Sequence, residues 1–109
     1  MTEWLEIGEF DTIPPLGART VRTPDGDVAV FRTASDALFA LRDRCPHRGG
    51  PLSEGLVHGE RVTCPLHNWV IELGSGEAVA PDVGCVERFE VKRDGDRVLL
   101  RLAVREAAA

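Results

Sequence analysis

Three cysteines are the whole thiol content of this 109-residue chain, too few for a disulfide framework once two of them are committed to the motif described below. Long apolar runs are missing as well. None approaches eighteen residues, which excludes a membrane-spanning helix. The opening Met1-Thr2-Glu3-Trp4-Leu5-Glu6 has neither the basic start nor the apolar stretch of a secretory signal, so a cytoplasmic location is expected. Basic charge is in short supply. Thirteen Lys and Arg face eighteen Asp and Glu, and the net charge of −5 argues against a general nucleic-acid binder, which must neutralise phosphate. No nucleophile–base pair and no glycine-rich dinucleotide fingerprint is present, so the chain offers no substrate site of its own and no catalytic residue is assigned.

The length suits one domain, taken as residues 1–109, and the hydrophobic content of 43% with 28% charged residues is ordinary for a globular chain. No window carries a sustained helical period. The local pattern is β: apolar runs at 28–32 and 38–41 bracket a turn at 33–37, and Asp25-Gly26 reads as a tight turn before the first of them. Residues 86–92 alternate, and with 98–102 they predict a hairpin turning at Asp94-Gly95. Weaker strands are expected at 4–7, 19–22, 61–63 and 69–73, with Pro14-Pro15 marking a loop and no role for the tail 105–109. Many short strands at regular spacing predict an all-β, antiparallel sandwich or barrel.

Against that plain background stand Cys45-Pro46-His47 and, after a spacer of sixteen residues, Cys64-Pro65-Leu66-His67. Each short loop offers one thiolate and one imidazole. Pro46 and Pro65 fix the backbone just after each cysteine, and Gly49-Gly50 let the main chain come close to a bulky inorganic group so that N–H groups can face sulfur. Two cysteines on one iron and two histidines on the other is the ligand set of a Rieske [2Fe–2S] centre. Charge explains the histidines. Two ferric ions and two sulfides leave two positive charges, which two thiolates cancel, so the oxidised centre is near neutral and accepts an electron more readily than an all-cysteine cluster. A structural zinc site is the rival for Cys45, His47, Cys64 and His67, although zinc motifs commonly group cysteines before histidines and do not alternate them.

At these residues the chain resembles a Rieske ferredoxin-type protein. The respiratory members of that family carry an extra cysteine pair and two hydroxyl donors; here Gly50, Leu66, Trp69 and Ile71 stand in those places. A reduction potential near the low end of the Rieske range of roughly −150 to +300 mV is therefore expected. Elsewhere, His58 reads as an exposed loop histidine, Cys85 as a buried or half-buried residue on a strand, and Trp69 either as a core aromatic or as a cover for the cluster. Arg42, Arg44 and Arg48 flank the first loop as solvated charge or as a basic collar for an acidic partner, and Asp82, Glu87 and Glu90 read as a solvated face.

The stretches 66–78 and 82–86 narrow the resemblance to the small subunit of assimilatory NAD(P)H-dependent nitrite reductase, with support from 13–17 and 28–32; the similarity runs from about residue 4 to 102. It implies stacked antiparallel sheets with a small cluster-binding subdomain at one tip, its loops, about residues 43–71, inserted between strands of a base. It implies a one-electron carrier beside a large subunit that holds FAD, a [4Fe–4S] cluster and sirohaem and reduces nitrite to ammonia. The alternatives are a free Rieske ferredoxin serving a ring-hydroxylating oxygenase and, in another class, a zinc-stabilised interaction domain.

Overall fold

The structure is a computed structural model that describes residues 4–24, 26–45, 50–65 and 68–101. The tail and Asp25 of the expected Asp25-Gly26 turn lie outside them. Nine strands follow in chain order: β1 (Trp4–Glu9), β2 (Ala18–Val21), β3 (Val28–Arg32), β4 (Leu38–Arg42), β5 (Leu56–His58), β6 (Arg61–Thr63), β7 (Val70–Glu72), β8 (Arg88–Asp94) and β9 (Arg97–Arg101). Short 3-10 turns at Phe10–Thr12 and Leu52–Glu54 are the only helical pieces among the described residues. All strand pairs are antiparallel, as expected.

The strands form a six-stranded sheet in the order β1-β9-β8-β4-β3-β2 and a three-stranded sheet in the order β5-β6-β7. Two of the expected stacked sheets are thus continuous, joined where Ala40 and Leu41 of β4 pair with Phe89 and Arg88 of β8.

The central strands β3 and β4 explain why their sequence is apolar without alternation. Side chains on a strand point to opposite faces in turn. Val28 and Val30 feed one core with Phe10, Ile13, Ala40, Phe89, Val98 and Leu100. Ala29 and Phe31 feed a second core with Leu41, Leu52, Val57, Val62, Ile71, Leu73 and Val86. Both faces are covered, so both must be hydrophobic. Each fully buried side chain of this size contributes about 1.5–3 kcal/mol.

The first core belongs to the base. It is closed at one edge by two guanidinium groups, Arg93 at 3.7 Å and Arg32 at 4.0 Å from the Phe10 ring centroid. The β8–β9 hairpin turns on Gly95 and Asp96, one residue later than the expected Asp94-Gly95, because Asp94 still pairs with Arg97. Gly95 takes φ +62°, the left-handed backbone that a two-residue hairpin needs and glycine adopts at little cost.

The second core reaches into the small sheet. There β5, β6 and β7 each contribute one inward residue, and Val57, Val62 and Ile71 stand in register across the ladder. Strand β5 was not expected from the sequence, and it carries His58. That histidine is exposed, as expected, but it sits on a strand, with Nε2 2.7 Å from the Thr63 hydroxyl.

Candidate metal centre

The first cysteine leaves the base three residues beyond the end of β4. The second leaves the small sheet, directly beyond β6. Both are almost fully buried, Cys45 at 1% and Cys64 at 0% exposure, and both belong to the second core. The two loops close in the same way. The Cys45 backbone N–H donates to the Gly50 carbonyl at 2.8 Å, and the Cys64 N–H donates to the Trp69 carbonyl at 2.6 Å. Each cysteine is therefore the fixed foot of a loop whose far end, five residues on, is tied back to it. No disulfide links Cys45 to Cys64. His47 and His67 lie outside the described residues, as does Arg48.

Two buried thiols on matching loops, walled by aliphatic side chains, suit the sulfur-ligated end of a diiron cluster. Burial would exclude water from iron held there, and among the described residues no carboxylate, which would favour a harder metal, is buried. Trp69 is half-buried and packs against the same core, the one that holds both cysteines. Ile71 is fully buried in β7 and Trp69 follows the second loop, so neither place holds a hydroxyl that could be aimed at cluster sulfur.

Several other expectations change. Cys85 is exposed, not buried: it lies on an isolated bridge to Glu77 that leaves its side chain in solvent. Arg42 is no part of a collar. Its guanidinium donates to the Gly26 carbonyl at 2.8 Å and the Thr23 hydroxyl at 3.2 Å, pairs with Glu87 at 3.1 Å and lies over Phe89. Arg44 is exposed. Glu90 is partly buried and pairs with Arg101 at 2.6 Å, so it belongs to a packed edge beside Trp4 and not to a solvated face. Sequence reasoning passed over Asp43 and Ser53, which grip one another across the base of the first loop. Their only signal was place, an acid two residues before Cys45 and a serine after the buried Leu52.

Comparison with known proteins settles the family. The profile of the Rieske [2Fe-2S] domain matches residues 3–90. The chain belongs to the Rieske [2Fe–2S] domain family. Its cofactor is a Rieske-type [2Fe–2S] cluster and not zinc. Among curated relatives, the 4beta-methylsterol monooxygenase of Methylococcus capsulatus is 34% identical over 91 residues, covering 73% of this chain. This chain spans only 25% of that relative's length. Among solved structures, the complex of oxygenase and ferredoxin in carbazole 1,9a-dioxygenase matches at a TM-score of 0.83 and 26% identity, covering 94% of this chain and 95% of the other. NirD of E. coli matches at 0.81 and 28%, covering 93% and 97%. A structure from Mycobacterium tuberculosis, described as a putative NADH-dependent nitrite reductase small subunit, reaches 0.84 with 20% identity over 94% and 97%, a likeness that shows the fold alone. The chain is a Rieske electron-transfer domain that resembles NirD. Among the described residues no helix is long and apolar enough to cross a membrane.

Proposed function

We propose that this chain is the electron-transfer small subunit of an assimilatory NAD(P)H-dependent nitrite reductase, working in the cytoplasm, with Cys45, His47, Cys64 and His67 as the four ligands of its cluster. When bound, the cluster supplies reversible one-electron storage, and the redox chemistry is its own. The protein's residues do the rest. Cys45 and Cys64 hold the sulfur-ligated iron from within the second core. His47 and His67 would hold the other iron, whose chemistry is one-electron transfer to a partner. The aliphatic wall of Val57, Val62, Ile71 and Leu52 keeps water from the thiolates.

The observation that carries this reading is the end-to-end match to NirD at 28% identity, which accords with the resemblance across residues 66–86. The partner in this proposal is a large subunit with FAD, a [4Fe–4S] cluster and sirohaem, where nitrite and NAD(P)H bind. Reconstitution with such a subunit tests it. NAD(P)H-driven nitrite consumption should fall sharply when the native chain is replaced by His67→Ala, and equal rates would remove the electron-carrier role in this enzyme.

The match to the ferredoxin–oxygenase complex favours a second reading, a free ferredoxin that feeds a ring-hydroxylating oxygenase. The reduced chain presented in turn to a sirohaem nitrite reductase and to an aromatic-ring oxygenase separates the two, since only the true acceptor should oxidise it rapidly.

A further inference from the structure

The 3-10 turn Leu52–Glu54 lies between the two cysteine loops in the chain, and it is tied to both. On the side of the first loop, Asp43 takes hold of Ser53 twice. Its Oδ1 accepts the Ser53 backbone N–H at 2.7 Å, and its Oδ2 accepts the Ser53 hydroxyl at 2.6 Å. The Thr20 hydroxyl approaches the same Oδ2 at 3.5 Å, and the Asp43 backbone N–H donates to the Asp27 carbonyl at 2.9 Å, which anchors Asp43 to the base. Asp43 stands two residues before Cys45.

On the side of the second loop, the contact is steric. Gly55 ends the turn, and a Cβ there would collide with the carbonyl oxygen of Thr63, the residue before Cys64. Leu52, the first residue of the turn, is fully buried in the core that holds both cysteines. The turn is thus a spacer. Its middle residue, Ser53, is clamped by a carboxylate two residues before Cys45, and Gly55 at its close is pressed against the backbone beside Cys64.

We propose that Asp43 is a positioning residue for the cluster: through Ser53 it sets the spacing of Cys45 and Cys64 and so the geometry imposed on the sulfur-ligated iron. The proposal rests on the reading that these two thiols hold the cluster. A carboxylate suits the task, because its two oxygens receive the backbone N–H and the hydroxyl of one residue at once, which fixes direction as well as distance. Groups that orient ligands without touching the metal hold its affinity within narrow limits.

Four variants in the full chain, with anaerobic cluster reconstitution, test this. Asp43→Ala deletes both bonds. Ser53→Ala deletes one and keeps the backbone bond. Asp43→Asn keeps the shape, since its amide can still accept from the N–H and donate to the hydroxyl oxygen, but it removes the charge. Asp36→Asn alters a carboxylate paired with Arg32 before the other end of β4, away from the loops, and serves as control. The readouts are the rate of cluster loss to an iron chelator, the electron paramagnetic resonance spectrum of the reduced chain, and far-ultraviolet circular dichroism. Asp43→Ala should lose its cluster about tenfold faster than the native chain with an altered resonance spectrum. Ser53→Ala should follow by a smaller factor, and Asp43→Asn and Asp36→Asn should stay near native. If Asp43→Ala does not fold, Ser53→Ala decides on the same readouts. A native rate and spectrum in the folded alanine variants overturns the proposal, as does Asp43→Asn behaving like Asp43→Ala, since charge and not position would then be at work. A native chain that takes up no iron overturns the ligand reading itself, and is told apart from the other failures by that fact.

Discussion

The two cores of this protein are built on opposite faces of the same pair of strands, yet they are held by different means. The base core is enclosed by strands of four to seven residues, and its edge is sealed by stacked guanidinium groups. The tip core is completed by three strands of three residues each, with one inward side chain apiece, and by two loops whose feet are cysteines. The base has the longer strands and the more extensive backbone pairing. The tip depends on ties at its ends: the carbonyls that receive the cysteine N–H groups, the Asp43–Ser53 pair, and the bound cluster. The general lesson is that a redox centre is best placed where the scaffold is rigid beneath it and the covering is thin above it, since electron transfer needs both fixed geometry and a close partner.

The sharpest way to break the comparison is Cys64→Ser. Loss of one buried thiolate should abolish cluster incorporation, with iron and sulfide falling to background, while far-ultraviolet circular dichroism shows the strands of the base intact. A variant that keeps a full complement of iron would deny Cys64 its place.

The next effect is on stability. Leu100→Ala in the base core and Ile71→Ala in the tip core each delete a fully buried aliphatic side chain and should each cost about 2–5 kcal/mol in denaturant unfolding. They should differ in a second readout. Below its unfolding transition the Leu100 variant should release cluster at the native rate, whereas the Ile71 variant should release it faster. Equal release would show that the two cores are one mechanical unit.

A smaller effect concerns tuning. With Trp69 and Ile71 where hydroxyl donors would stand, redox titration should give a midpoint below about +100 mV. The smallest effect is expected at the edge of the base. Glu90→Gln weakens a pair whose side chains are each about one-third exposed (33% and 32%), and it should cost below about 1 kcal/mol and leave the cluster spectrum unchanged.

Much of this was legible in the sequence, and the gaps have physical causes. The runs at Val28 and Leu38 announced strands because both faces are buried. The hairpin near Gly95 announced itself by its turn residues, and only the turn's centre moved. The Cys/His loops were visible because metal ligation uses few residue types at tight spacing. Strand β5 was invisible because one of its three residues points inward and Leu56 lies 70% exposed, so neither alternation nor burial left a pattern. Cys85 misled because Val83, Cys85 and Val86 look like strand interior, yet an isolated bridge turns the thiol outward and Val83 is 87% exposed. Arg42 looked like surface charge near the first loop, and its role emerged only when folding brought Thr23, Gly26 and Glu87 around it. Long-range polar pairs such as Asp43 with Ser53 carry no periodic signal, since they depend on where two distant turns meet.

The central claim is that Cys45, His47, Cys64 and His67 together hold a Rieske cluster. Iron, sulfide and zinc analysis of the anaerobically prepared chain, joined to nitrogen hyperfine spectroscopy of its reduced form, tests it most directly. The account predicts about two irons and two sulfides per chain and coupling from two imidazole nitrogens that is lost in His47→Ala and His67→Ala. Zinc in place of iron, or a diiron cluster without nitrogen coupling, would contradict it.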